Sequence, residues 1–114
     1  RFKPPYNFKS LLFWRLLLSQ RQAMAALVEI YTRPGCGYCS AAKSLLARKN
    51  AAFTEFDVAV DPNWRAEMVQ RANGGATFPQ IFIDKQHVGG CDDLYALDRE
   101  GKLDGLLIGP KVSS

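Results

Sequence analysis

Residues 27–39 read Leu-Val-Glu-Ile-Tyr-Thr-Arg-Pro-Gly-Cys-Gly-Tyr-Cys, and this stretch decides the fold. Its first part, Leu27–Tyr31, is short, apolar and rich in β-branched and aromatic residues, which predicts a strand. A Pro-Gly pair ends that strand. Over residues 37–49 apolar residues recur at helical spacing, and cations follow in the last turn, where they suit the helix dipole. Cys36 and Cys39 therefore lie where a strand passes into the start of a helix.

The rest of the chain has the pattern of an α/β domain. Further elements are predicted, in chain order, as a strand over 53–58, a helix over 62–72, a hairpin of strands over 80–83 and 86–88, a helix over 93–99 and a short helix near 102–107. Asp61 is a predicted N-cap with Pro62 at the first helical position, and Asp92 or Asp93 can cap the helix over 93–99. The order β-α-β-α-β-β-α predicts a four-stranded mixed sheet with helices on both faces.

Residues 1–23 differ in charge from everything that follows. They hold five Lys and Arg residues and no acid, whereas residues 24–114 hold ten basic and eleven acidic residues. A nearly neutral globular part has no field to hold a polyanion, so nucleic-acid binding is not expected. The apolar run over residues 11–18 is shorter than the roughly 20 residues that span a bilayer, so stable membrane insertion is not expected either.

Three interpretations of residues 1–23 stay open: a signal peptide, a mitochondrial presequence, or translated upstream sequence or an expression remnant. The third is favoured because Met24 stands directly before the first predicted strand. We therefore expect an N-terminal extension over residues 1–23 and one domain over residues 24–114. The expected compartment is the cytoplasm, with mitochondrial import or export as the alternative if the extension is a targeting segment.

The three cysteines point to redox chemistry. They are too few for a disulfide framework, and a close C-x-x-C pair indicates either redox or metal chemistry. At a helix start, free N–H groups and the dipole favour a thiolate at Cys36, and Arg33 adds a cation. Cys39 lies one turn deeper, so Cys36 is predicted to attack and Cys39 to resolve. A zinc site would need Cys91 and the lone His87, about fifty residues away, so no metal is expected, and His87 is predicted to be a strand residue without a catalytic part.

Three stretches, in order, carry a resemblance to a known family. They are V-E-I-Y-T-R-P-G-C-G-Y-C over 28–39, T-F-P-Q-I-F-I-D over 77–84 and H-V-G-G-C-D-D-L-Y-A-L over 87–97. From about residue 26 to 107 the chain resembles a dithiol glutaredoxin, most closely the bacterial third subtype. The resemblance implies a thioredoxin-like fold and a monomer. It also implies a glutathione-dependent oxidoreductase that reduces glutathione mixed disulfides and protein disulfides, with glutathione as co-substrate.

The same resemblance implies a glutathione groove beside Cys36. Its residues would be Arg33, Tyr38, Arg65, Phe78, Pro79, Cys91 and Asp92. Pro79 would be cis and would face the cysteine pair, and the main chain of Phe78 would pair with the cysteinyl part of glutathione. The side chain of Tyr38 would form a wall of the groove.

The two carboxylates of glutathione would bind at opposite ends of that groove. The γ-glutamyl end would meet the N–H groups of Cys91 and Asp92, which begin a helix and so suit a carboxylate. The glycyl carboxylate would meet Arg33 and Arg65. A glutathione-independent, thioredoxin-like reductant is disfavoured, because Asp92 and Arg33 fit a glutathione groove.

Three features depart from the commonest family pattern. Gly37 replaces the usual Pro between the cysteines, Phe78 replaces Val before the cis proline, and residues 1–23 have no counterpart. Family members with Gly or Ser at the position of Gly37 include proteins that hold a [2Fe–2S] cluster between two monomers. The alternative function is therefore a cluster-bridged dimer, an iron–sulfur carrier or redox sensor, with Cys36 and glutathione as cluster ligands.

Overall fold

The computed structural model describes residues 25–109, and the predicted extension over residues 1–23 lies outside them. The elements in chain order are β1 Val28–Thr32, α1 Gly37–Arg48, β2 Thr54–Asp57, α2 Asn63–Arg71, β3 Gln80–Ile83, β4 Gln86–Gly89, α3 Cys91–Arg99 and α4 Leu103–Ile108. The predicted β-α-β-α-β-β-α order is confirmed, as is the short helix after it. Between residues 25 and 109, no helix is long and apolar enough to cross a membrane.

The four strands form one mixed sheet in the order β2-β1-β3-β4. Strand β1 pairs in parallel with β2 and antiparallel with β3, and β3 pairs antiparallel with β4. The β3–β4 hairpin turns at Asp84 and Lys85, whose φ angles of 51° and 69° are those that a tight two-residue hairpin turn needs. The predicted mixed sheet is thus confirmed.

Helices cover both faces of the sheet, because the side chains of β1 point alternately into two apolar clusters, one on each face. All five residues of β1 are buried, as expected of a central strand between two layers. Val28 and Ile30 pack in an apolar cluster with residues of α1, α3 and α4. Tyr31 points to the other face, where it packs with Met68 of α2 and Phe82 of β3. Each such buried side chain contributes about 1.5–3 kcal/mol.

The helix starts differ partly from their prediction. Helix α2 begins at Asn63 with Pro62 as its N-cap, one residue later than predicted, so the prediction of Asp61 as N-cap was wrong. Asp61 Oδ1 still accepts the N–H of Asn63 at 3.0 Å, just before the helix. Helix α3 begins at Cys91 rather than at residue 93, and Gly90 is its N-cap, so the prediction of an aspartate cap was wrong. Asp93 instead lies inside the first turn and its Oδ2 accepts the N–H of Gly90 at 2.9 Å. Glycine is tolerated at an N-cap position, and here the Asp93 carboxylate, three residues into the helix, accepts the N–H of the N-cap residue.

Candidate active site

Cys36 is the N-cap of α1, at the C-terminal end of the loop that follows β1. Its backbone is extended, with φ −99° and ψ 108°, and its Sγ accepts the N–H of Cys39 at 3.1 Å. The same Sγ lies 3.8 Å from the carbonyl oxygen of Phe78. An N–H donor and the positive end of the helix dipole both stabilise negative charge on this sulfur. The expected position of Cys36 at the helix start is confirmed.

Cys39 occupies a different environment one turn further along α1. Its side chain is only 2% exposed and lies in the interior. Burial, followed by its hydrogen bond with Cys36, raises the pKa of Cys39 to about 11. At neutral pH it is therefore a protonated thiol beneath the more accessible sulfur of Cys36. The pair thus combines a sulfur that accepts a helix N–H with a buried thiol one turn further along the helix.

A cavity of about 370 Å³ opens beside Cys36, between the loop before β3 and the start of α3. It is lined by Tyr38, Thr77, Phe78, Pro79, Gln80, His87, Gly89, Gly90, Cys91, Asp92 and Asp93. Five of the seven residues predicted for the glutathione groove are in this lining. The Phe78–Pro79 peptide bond is cis, as expected. The cavity is within the roughly 300–1,000 Å³ range of small-ligand pockets.

The backbone at the start of α3 forms one end of the cavity. Gly89 has φ 122°, and a Cβ added there would lie 2.2 Å from Asp93 Oδ2, so only glycine fits. The first N–H groups of a helix have no partner within it, and those of Cys91 and Asp92 face an anion favourably. The thiol of Cys91 is buried, and burial, with smaller contributions from Asp92 and Cys36, raises its pKa.

A second cavity, of about 390 Å³, lies on the other side of Cys36. It is lined by Arg33, Pro34, Gly35, Cys36, Gly37, Cys39, Ser40, Lys43, Glu55 and Asp57. Arg33 thus lines this cavity rather than the first, although its guanidinium lies 5.9 Å from the centre of the Phe78 ring. Lys43 and Glu55 form an ion pair of 3.0 Å here. Cys36 stands between the two cavities.

Arg65 is the one predicted groove residue that lines neither of these two cavities. It is exposed on α2, on the opposite face of the sheet from α1 and α3. Within residues 25–109, no cluster of three or more His, Cys, Asp or Glu side chains could hold a metal ion.

Six of the eleven residues that line the first cavity were missing from the predicted site, and Gln80 and His87 are two of them. Gln80 is buried, and its side-chain amide contacts Thr77 and His87. A polar residue at the start of the otherwise apolar strand Gln-Ile-Phe-Ile was the available signal for Gln80. For His87 the signal was weaker, because its position beside the cavity depends on strand register.

Comparison with known proteins bears out the resemblance. The glutaredoxin family model matches residues 28–88. Glutaredoxin 3 of Escherichia coli is 55% identical over 82 residues, which are 72% of this chain and 98% of that protein. The solution structure of a glutaredoxin from Brucella melitensis has 60% identity and a TM-score of 0.67, and the match covers 79% of this chain and 97% of that one.

A more distant solved structure, a buckwheat glutaredoxin–glutathione complex, has 27% identity and a TM-score of 0.66. The match covers 89% of this chain and 94% of that one. The residues that the family model matches hold the cysteine pair and the cis proline. The chain belongs to the glutaredoxin family and is a thiol–disulfide oxidoreductase.

Proposed function

We propose that this oxidoreductase reduces glutathione mixed disulfides and protein disulfides, with glutathione as its co-substrate and Cys36 as its nucleophile. The observation that carries the proposal is the position of Cys36 Sγ. It accepts a helix N–H at 3.1 Å and lies 3.8 Å from the Phe78 carbonyl, which lines a cavity suited to a small ligand. The buckwheat relative was solved with glutathione, which supports the same ligand for this chain.

In the proposed first step, the Cys36 thiolate attacks the glutathione sulfur of a mixed disulfide. A new bond forms between Cys36 Sγ and glutathione, the old disulfide bond breaks, and the substrate leaves as a thiolate that takes up a proton. A second glutathione thiolate then attacks the glutathione sulfur bound to Cys36. Oxidised glutathione departs and the Cys36 thiolate is regenerated, so two electrons pass from glutathione to the substrate.

Protein disulfides need Cys39 as well. Cys36 attacks one sulfur of the substrate and forms a mixed disulfide with it, releasing the first substrate thiol. Cys39 then loses its proton and attacks Cys36 Sγ, so that the second substrate thiol leaves and a Cys36–Cys39 disulfide forms. Because the pKa of Cys39 is about 11, this thiol is protonated at neutral pH before it attacks the mixed disulfide.

Glutathione would lie along the first cavity. Its γ-glutamyl carboxylate would bind the N–H groups of Cys91 and Asp92, and its cysteinyl part would pair with the main chain of Phe78. Tyr38, which is 67% exposed, and Pro79 would form the walls.

The glycyl carboxylate would bind Arg33, whose guanidinium lies beside the Phe78 ring, and Arg65 as the second cation. Neither arginine lines the first cavity, so the glycyl end of glutathione would extend beyond that cavity to reach them.

The test is a trapped intermediate. In Cys39→Ser, Cys36 can be glutathionylated but not resolved internally, so the mixed disulfide accumulates and its amide shifts can be mapped by NMR. We expect the largest shifts at Phe78, Cys91 and Asp92. Shifts concentrated at Lys43 and Glu55 would place glutathione in the second cavity and contradict the proposed groove.

Steady-state assays of the same variant separate the two routes. Cys39→Ser should keep reduction of glutathione mixed disulfides and lose reduction of protein disulfides, because only the second route needs an internal resolving thiol. Equal loss of both activities would contradict the roles assigned to the two cysteines.

We also propose that the protein works as a monomer in the cytoplasm, where glutathione and thioredoxin systems keep thiols reduced. Its three cysteines are free thiols. Removal of residues 1–23 should leave activity unchanged, as the motifs begin after them. The names of the relatives favour the oxidoreductase over the cluster-bridged dimer.

A further inference from the structure

A chain of hydrogen bonds runs along one wall of the first cavity, from β4 to the loop before β3. His87 Nε2 lies 2.6 Å from Gln80 Oε1. Gln80 Nε2 in turn donates to the carbonyl oxygen of Thr77 at 3.1 Å and to Thr77 Oγ1 at 3.0 Å. Thr77 directly precedes Phe78, whose carbonyl faces Cys36. The chain therefore links an exposed edge strand to the backbone beside the nucleophile.

The partners of Gln80 fix the orientation of its amide. Both of its N–H groups are used on the two oxygens of Thr77, so Oε1 must face His87. A flipped amide would set Oε1 against the carbonyl oxygen of Thr77, which is an acceptor and has no hydrogen to give. His87 must then donate from Nε2, and the neutral ring carries its proton on that nitrogen.

Gln80 has little freedom apart from these bonds. Its side chain is 4% exposed, and a Cβ added to Gly75 would lie 3.3 Å from Gln80 Nε2, so the amide is tightly enclosed. Within the described part of the chain, His87 is the only hydrogen-bond partner that Gln80 Oε1 has. Loss of that donor would leave a buried carbonyl oxygen without a partner, which is the condition under which an amide reorients.

The position of His87 follows from the register of the hairpin. The turn at Asp84 and Lys85 pairs Ile83 with Gln86 and Phe82 with His87, and the register shifts only beyond this pair, where Ile81 pairs with Gly89. The imidazole then packs on the Phe82 ring, with 5.0 Å between the ring centres. Two residues along β3 from Phe82, Gln80 lies on the same face of the sheet and within reach of the imidazole.

We propose that His87 is a positioning residue for substrate binding: through Gln80 it holds the Thr77–Phe78 backbone in the geometry that receives glutathione. This inference rests on the proposed function, in which the main chain of Phe78 pairs with the cysteinyl part of glutathione. Although His87 also lines the first cavity, it reaches the Thr77–Phe78 backbone through two hydrogen-bond steps and takes no part in the chemistry at Cys36 Sγ. Its contribution is to binding, so its loss should raise KM and leave kcat unchanged.

The experiment compares two replacements of different chemistry at the same place. His87→Phe keeps an aromatic ring on Phe82 but has no donor, whereas His87→Gln keeps a terminal N–H at a similar reach. We expect His87→Phe to raise KM for a glutathionylated peptide by about three- to tenfold, the size of one neutral hydrogen bond. His87→Gln should return KM towards the value of the parent protein.

A double-variant cycle tests whether His87 acts through Gln80. Gln80→Met removes the amide, so adding His87→Phe to it should raise KM no further. Full additivity of the two effects would overturn the proposal, and so would a His87→Phe variant with the KM of the parent. The ¹⁵N shifts of the imidazole give a readout independent of activity: neutral His87 should carry its proton on Nε2, and a proton on Nδ1 would overturn the proposal.

Failure of the proposed function would look different. A parent protein that reduces disulfides without any dependence on glutathione would end the glutathione assignment, whatever the His87 variants do. Melting temperatures of the variants serve as a control: His87→Phe should reduce affinity even where its melting temperature equals that of His87→Gln.

Discussion

Two cysteines at two helix starts behave differently although they are almost equally buried. Cys36 is 8% exposed and Cys91 is 7% exposed. Cys36 is the N-cap of α1, and its sulfur turns back over the first turn to accept the N–H of Cys39. Cys91 is the first residue inside α3, behind the cap at Gly90, and its side chain joins the apolar cluster that includes Leu94.

An offset of one residue relative to the cap therefore decides what each thiol can do. An N-cap side chain reaches the free N–H groups of the first turn, which stabilise an anion on it. The side chain of the first helical residue points away from those groups and, at Cys91, into the core. Burial then raises the pKa of Cys91 with no donor to oppose it. Neither the exposed fraction nor the proximity to a helix start would distinguish Cys36 from Cys91.

The largest expected effect comes from replacing each of these cysteines by serine. Cys36→Ser should abolish turnover of every disulfide substrate, because serine cannot form the mixed disulfide. Cys91→Ser should retain kcat, because in the proposed site only the backbone N–H of Cys91 binds glutathione. Steady-state assays on a glutathionylated peptide check both variants. A Cys91→Ser variant as inactive as Cys36→Ser would contradict the distinction between the two helix starts.

Alkylation at different pH values sharpens the comparison. Burial raises the pKa of Cys91, and it raises that of Cys39 to about 11. Only a thiolate reacts, so labelling of these two cysteines should keep increasing beyond the pH of about 8.5 at which a free thiol is half ionised. Cys36 should be labelled first at neutral pH.

Iodoacetamide labelling followed by peptide mass spectrometry measures the three rates separately. The control is the protein unfolded in guanidinium chloride, where the three cysteines should react alike. Labelling of Cys91 at neutral pH as fast as that of Cys36 would show that the core does not suppress its ionisation.

A pair of glycine substitutions compares the two helix starts directly. Gly89 has φ 122° and an added Cβ would meet Asp93 at 2.2 Å, whereas a Cβ at Gly37 would meet no atom within 4 Å. Gly89→Ala should therefore cost roughly 1–3 kcal/mol through backbone strain and loss of the Asp93 cap. Gly37→Ala should change the free energy of unfolding by no more than about 0.5 kcal/mol.

Denaturant unfolding of both variants gives those free energies, and glutathione affinity gives a second readout. Gly89→Ala should also weaken glutathione binding, because it moves the backbone at the start of α3. Equal stability of the two variants would mean that the start of α3 is as tolerant as the start of α1.

The starts of α1 and α3 also show which structural features can be predicted from the sequence and which cannot. The strand before Cys36 and the helix after it were predictable from β-rich composition and helical periodicity, so the cysteine pair could be placed at their junction. The start of α3 was misplaced, because Gly89-Gly90 has the composition of a loop and nothing in it marks Gly90 as a cap. Local patterns locate helices better than they locate caps.

Features that depend on tertiary geometry were beyond the sequence. The side chain of Arg33 lines the cavity on the far side of Cys36, and the direction of a loop side chain is not encoded in spacing. The contact between His87 and Gln80 joins two residues that are not paired across the β3–β4 hairpin, which alternation alone does not reveal. The family resemblance predicted groove residues, and the structure added Gln80 and His87, which line the same cavity.

The smallest expected effect is at Gly37 itself, where Gly37→Pro should stabilise the protein. Gly37 is the first residue of α1, the position where Pro is best tolerated because its missing N–H would have no partner within the helix. The preceding residue must be extended before a proline, and Cys36 already is, with ψ 108°. Proline restricts the unfolded chain, so the free energy of unfolding should rise by about 0.4–1 kcal/mol.

Thermal unfolding of the reduced protein measures this gain, with Gly37→Ala as the matched control that lacks the ring. Because the bond from the Cys39 N–H to Cys36 Sγ does not involve residue 37, labelling of Cys36 should be unchanged in Gly37→Pro. A lower melting temperature, or slower labelling of Cys36, would show that the start of α1 needs the freedom of glycine. The two helix starts would then share a requirement for glycine, and only the position of the cysteine relative to the cap would still separate them.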